Sequence, residues 1–208
     1  MSGGRLSRPV LTDALARVCV GVLWVLLTTS LVNEAVRTGH LTGVLLAGSE
    51  ALVVVLTIVR RRTQIVDRSP MAAVLTVVSL VGPVLVRPTA ATPLASDTAT
   101  AVLSAIGFAV IVYGKISLGR SFGLIPANRG VVTAGPYAFV RHPIYAGYVL
   151  THVSFVAAHP TLLNIGILVL ADSALICRAL LEERILAGDG EYRAYCSRVA
   201  WHLVPGVF

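Results

Sequence analysis

Residues 143–181 read PIYAGYVLTHVSFVAAHPTLLNIGILVLADSALICRALL, two apolar runs on either side of His159-Pro160. A helix that crosses a bilayer needs roughly 20 mostly apolar residues, with about 17 as a lower limit. The run 161–181 meets that length, and the run 143–158 is short for it. Only His159-Pro160 separates them, and proline does not continue a helix. The pattern therefore predicts two membrane helices joined as a tight helical hairpin.

Four further runs extend this reading toward the N-terminus: 14–36, 41–59, 70–86 and 98–118. The second stops at Arg60-Arg61-Arg62, and Pro83 predicts a kink in the third. The fold class expected is all-α, a polytopic integral membrane protein of about six transmembrane helices. Composition agrees. Of 208 residues, 56% are hydrophobic and only 13% charged, against about 25% in a soluble domain. The mean hydropathy is +0.82. A soluble cytosolic enzyme, a disordered tail and a disulfide-stapled secreted module are excluded on these grounds. The run after the first basic residues is long and lacks a clean cleavage site, so it reads as a first span and not as a signal peptide.

The net charge of +7 does not mark a nucleic-acid binder, because the basic residues lie in short clusters between apolar runs. With six spans and a cytosolic N-terminus, fifteen of the seventeen basic residues face the cytosol, leaving Arg37 and Arg87 outside. That asymmetry is the positive-inside pattern, and it places both termini in the cytosol. Cys19, Cys177 and Cys196 fit no metal spacing and read as small packing residues.

Two segments are neither span nor short connector: 119–141 and 182–208. Long loops of this kind carry function, which predicts a four-helix transmembrane region over 1–118 and a functional core over 119–208. Within that core, Pro143 suits the first turn of a helix. It places His142 at the helix entrance and Tyr145 in the first turn; the cluster reads either as an interfacial belt or as a ligand site. Arg178 and Glu182 are four apart and share a helix face, as a surface ion pair or as grips for two ligand groups. Tyr192, Tyr195 and Arg198 repeat along one face of a short helix, either on the membrane surface or at a site. Glu50, His152 and Asp172 are ionisable groups inside apolar runs, which makes each a functional candidate.

Taken together, GPYAFVRHPIYAGY (135–148), RALLEE (178–183) and the stretch Gly188 to Val199 with Tyr192, Tyr195 and Arg198-Val199 resemble the isoprenylcysteine carboxyl methyltransferase family. The resemblance implies S-adenosyl-L-methionine as methyl donor, held in a cytosolic C-terminal pocket by Val131, Val132, Tyr137, His142, Pro143, Ile144, Tyr145 and Glu182. It also implies that Arg178 binds the acceptor's carboxylate as the catalytic group, with Arg198 as a further acceptor contact, and no metal.

The implied substrate is a lipophilic small molecule or lipid, reached from the bilayer, and the implied location is a bacterial cytoplasmic membrane. A carboxylate acceptor needs no general base, because it is already ionised at neutral pH. An amine or thiol would need one, and no residue stands out for that task. Two other readings are a membrane NADPH-dependent reductase of the sterol reductase type and a non-enzymatic transport or assembly module.

Overall fold

The computed structural model describes residues 18, 21, 22, 25, 29, 54–59, 61, 67, 69–87, 89, 91–123 and 126–208. The chain divides into two compact units, Met1–Arg60 and Arg61–Phe208. The described residues of the first unit are helical. The spans expected at 14–36 and 41–59, and Glu50 with them, lie largely or wholly outside the described residues.

The second unit is built from α1 (Pro70–Leu85), α2 (Asp97–Leu118), α3 (Pro143–Ala158), α4 (Leu162–Leu186) and the short α5 (Gly190–Cys196). No β-strand occurs among the described residues. Each start has a local cause. Ser69, Ser96 and Thr161 accept the backbone N–H of Ala72, Ala99 and Asn164, which satisfies donors that the first helical turn leaves free. Pro143 opens α3, and Asp189 caps α5 through the N–H of Glu191 at 2.9 Å. Pro83 lies inside α1, at the position expected for a kink.

Two of these helices are long and apolar enough to cross a membrane, over Asp97–Ser121 and Leu162–Leu186. Pro70–Leu85 and Pro143–Ala158 are apolar but shorter. The six-span expectation is thus met only in part among the described residues. The start and end of α3 are fixed by Pro143 and by His159-Pro160, and these hold it to sixteen residues.

The tight hairpin is corrected more sharply. Although α3 and α4 follow each other directly, α3 packs along α2 and α4 packs along α1, while α3 and α4 meet at few positions. Small residues explain this choice of partners. A Cβ on Gly147 would come within 2.7 Å of the Gly107 carbonyl oxygen, so the α2 and α3 backbones approach as closely as glycine allows. Ser154 reinforces the contact, its hydroxyl donating to the Thr100 carbonyl at 2.6 Å and pairing with Ser104 at 2.9 Å. Interhelical packing of small residues with hydroxyl hydrogen bonds is what associates helices where the hydrophobic effect does not act. On the other pair, a Cβ on Gly82 would meet the Ala171 methyl at 2.7 Å. The buried Asn164 amide ties the end of α1 to α4, donating to Arg87 and His159 carbonyls and accepting the Arg87 N–H.

Gly147→Ala should destabilise the protein by about 1–3 kcal/mol, because the obstructing atoms are backbone and cannot swing aside. Gly166→Ala, with nothing within 4 Å of the added methyl, should leave stability unchanged or slightly raised. Melting temperatures of the two variants in detergent check this contrast.

Candidate active site

The chain between α2 and α3 folds back on the C-terminal segment and brings the sequence's polar residues together. Its anchor is Arg141. The Arg141 guanidinium donates to the Val199 carbonyl at 2.8 Å, the Cys196 carbonyl at 3.3 Å and Glu183 Oε2 at 3.1 Å. Its backbone N–H donates to Trp201, and that of His142 to His202, at 2.9 and 2.8 Å. One arginine thus joins the entrance of α3, the end of α5 and the last turn of α4.

Glu183 is the common acceptor. Its Oε1 receives His142 Nε2 at 2.9 Å and His202 Nδ1 at 2.7 Å, and its Oε2 receives Arg141. The three groups His142, Glu183 and His202 could be read as metal ligands, since their donor atoms lie within 4.8 Å of one another. The spacing argues for hydrogen bonds. Two ligands bound tetrahedrally to zinc at about 2.1 Å stand roughly 3.4 Å apart, wider than either His–Glu183 contact. The second carboxylate oxygen is also already occupied by a guanidinium.

Glu182, one residue earlier, points to a different neighbour. Its Oε2 accepts the Tyr145 hydroxyl at 3.1 Å, and Oε1 has no partner among the described residues. Adjacent residues on a helix lie about 100° apart around its axis, so Glu183 serves the α3 entrance and C-terminal segment while Glu182 serves the Tyr145 side. Arg178 does not pair with Glu182 as their spacing allowed. Its guanidinium carbon lies 5.3 Å from the centre of the Tyr145 ring, a cation–π arrangement. Arg178 is 5% exposed, and its Nε has no hydrogen-bond partner among the described residues. A buried guanidinium without a carboxylate partner is costly, and here it lies over a tyrosine whose hydroxyl Glu182 accepts.

The remaining sequence candidates divide. Pro143, Ile144 and Tyr145 are buried in the first turn of α3, with His142 stacked on Tyr145 at 5.3 Å. Tyr137 is buried, and its carbonyl accepts the Tyr195 hydroxyl at 2.7 Å. Burial raises the Tyr137 phenol well above its ordinary value, with the charge of Glu182 adding to it. Burial likewise pushes Tyr195 up to about 12, so both remain neutral at physiological pH.

Val131 packs against the buried cluster of Tyr192, Tyr195 and Val199, and Val132 beside it is partly buried. Tyr192 and Tyr195 therefore face inward and do not lie on a membrane surface. Arg198 is exposed. The Asn128 amide donates to Asp189 at 3.0 Å and holds that carboxyl below its usual range, which fastens the 126–134 segment to the start of α5. The parts of the arrangement that sequence reading missed are Arg141, His202 and the role of Glu183. Their partners lie 19 to 58 residues away along the chain, and no local periodicity encodes such contacts.

Glu183→Ala removes the acceptor of three donors at once. A loss of about 3–5 kcal/mol is expected for such a broken buried network, whereas Glu182→Gln should leave the melting temperature near that of the wild type. Thermal unfolding of both variants tests the division between structural and open carboxylates.

Comparison with known proteins follows the same ground. No curated protein matches the chain. Residues 99–189, from the first turn of α2 to the cap of α5, match the isoprenylcysteine carboxyl methyltransferase (ICMT) family. The matched segment holds Arg141, His142, Tyr145, Arg178, Glu182 and Glu183, while His202 and the tyrosines of α5 lie beyond it. That match spans less than half of the chain, and together with the apolar helices it supports an integral membrane methyltransferase.

Proposed function

We propose that the protein transfers a methyl group from S-adenosyl-L-methionine to the carboxylate of a lipophilic acceptor, at the end of the apolar helices that faces the cytosol. The observation that carries this reading is Arg178: a 5%-exposed cation with an unpartnered Nε, set between the Tyr145 ring and the α4 turn bearing Glu182.

The residues present suit the donor. Glu182 keeps one carboxylate oxygen open, which can accept both hydroxyls of a ribose. Tyr145 fixes the other oxygen and so sets the orientation of the pair. Tyr137, Pro143, Ile144 and the His142 ring supply the apolar and aromatic wall, and Val131 and Val132 border it. S-adenosyl-L-methionine supplies an electrophilic methyl group on a sulfonium, so the protein need not generate reactivity.

The chain's own task is placement. Arg178 can fork onto an acceptor carboxylate with two N–H donors. This holds one oxygen and leaves the other directed at the methyl carbon. Correct placement of two reactants lowers the barrier by converting a bimolecular encounter into a local one. A base is unnecessary because the acceptor is already an anion. The Glu183 network keeps Arg141 and His142 fixed, and with them the first turn of α3 that presents Tyr145. Apolar helices admit the acceptor from the bilayer side, while the polar C-terminal segment admits the donor from water. The basic clusters put that segment, and both termini, in the cytosol.

Membranes containing the protein, incubated with methyl-labelled cofactor, should yield a lipid-extractable product that loses its label in base, as a methyl ester does. A base-stable product would remove the carboxylate acceptor. On purified protein, Glu182→Ala should weaken binding of S-adenosylhomocysteine at least tenfold by calorimetry. Arg178→Ala should leave that binding intact while turnover falls by a hundredfold or more. Arg178→Lys should restore little, since an ammonium does not reproduce the planar fork.

A further inference from the structure

Tyr145 is one member of a stripe. His142, Tyr145, Tyr148, His152, Phe155 and His159 recur at three- and four-residue intervals, so a single face of α3 carries six rings along its whole length. They form pairs: His142 on Tyr145 at 5.3 Å, Tyr148 on His152 at 6.3 Å and Phe155 on His159 at 4.9 Å. Beyond the His142 contact with Glu183, two rungs of the stripe reach α4 through side chains. The first is Tyr145–Glu182, at the candidate active site. The second is His152 Nδ1 to Asp172 Oδ1, at 2.6 Å.

The second rung lies among apolar residues of α3 and α4 and has no part in the proposed methyl transfer. It is also more than a cross-link requires. The neighbouring helix pair, α2 and α3, is cross-linked through serine hydroxyls. Ionisable groups among apolar helices are expensive and mark function.

The pair is not closed on itself. Asp172 fixes the imidazole through Nδ1, while His152 Nε2 and Asp172 Oδ2 have no partner among the described residues. The two side chains remain 13% and 19% exposed. A histidine oriented through one ring nitrogen and open at the other is poised to bond a ligand through the open one. Tyr148, stacked on His152, has the fully buried Lys115 ammonium 5.6 Å from its ring centre.

We propose that His152, oriented by Asp172, hydrogen-bonds a hydroxyl group on the body of the lipophilic acceptor, so that the acceptor is a hydroxylated long-chain acid and not a plain hydrocarbon acid. This rests on the carboxylate reading above, which places the acid group at Arg178. The spacing follows from the two helices. His152 is seven residues beyond Tyr145 on α3, and Asp172 is six residues before Arg178 on α4. At 1.5 Å per residue both separations are about 10 Å, which puts the hydroxyl well along the chain from the carboxylate. A hydroxyl both donates and accepts, so it satisfies Nε2 in either protonation state of the ring. A carbonyl satisfies only the protonated one. The few direct contacts between α3 and α4 leave the stripe's side chains to define the surface along which such a molecule lies.

The test uses full-length protein in detergent micelles saturated with S-adenosylhomocysteine. Octadecanoic acid and its mid-chain hydroxy derivative are titrated in turn and followed by calorimetry. The hydroxy acid should bind at least tenfold more tightly. His152→Phe, which keeps a ring on Tyr148, should bring it to the level of the plain acid, with the plain acid's own dissociation constant unchanged in protein that circular dichroism shows to be folded. Equal binding of the two acids by the wild type overturns the inference without any variant, as does a preference that survives His152→Phe. Arg178→Ala separates the two levels of the argument. It should weaken both acids alike. If neither acid responds to it, the carboxylate reading fails. If both respond but the wild type does not distinguish them, only the hydroxyl inference fails.

Discussion

A single carboxylate determines where the functional residues stand. Glu183 takes three donors from three parts of the chain: Arg141 before α3, His142 at its entrance and His202 in the C-terminal turn. Because Arg141 also holds the Cys196 and Val199 carbonyls, the end of α5 cannot shift without disturbing the start of α3. A partly buried charge is tolerable only with this degree of satisfaction. Its structural role also explains why the neighbouring carboxylate is available. With Glu183 committed, Glu182 and Arg178 are left with open valences on the adjacent face of the same helix.

That face shows a division of labour readable in hydrogen bonds alone. Residues with complete sets of partners, such as Asn164, Ser154 and Glu183, hold helices and loops in place. Among the buried polar atoms left without a partner in the described residues, Arg178 Nε belongs to a guanidinium stacked over Tyr145, whose hydroxyl Glu182 accepts. Native proteins rarely leave buried polar atoms without partners, so an incomplete guanidinium beside a tyrosine is more informative than its residue type.

Much of this was legible in the sequence, and for identifiable reasons. The helices at 70–85, 97–118, 143–158 and 162–186 follow from apolar runs bounded by Ser, Pro and Thr, since hydropathy and capping are local properties. RHPIY and RALLEE were recognisable because they are contiguous, and the family match over 99–189 covers them both. What escaped was the partner of each residue. Arg178 and Glu182 offered an ion pair or two separate grips at helical spacing, and both turn to Tyr145 on another helix. Tyr192 and Tyr195 looked like a membrane-surface face, yet they bury against the 131–140 segment, a contact made by residues distant in sequence. The hairpin was misjudged because a short connection fixes order along the chain and not packing; Gly107 with Gly147 and Gly82 with Ala171 decided which helices became neighbours.

The choice of neighbours has a practical consequence for altering the molecule. The backbone of α3 is committed to α2, and that of α4 to α1, so the seam between α3 and α4 is made mainly by side chains. Its width can be changed by exchanging those side chains without depriving either helix of its main support. Natural divergence and laboratory redesign can therefore change positions such as 152 and 172 along this seam while the scaffold stays intact.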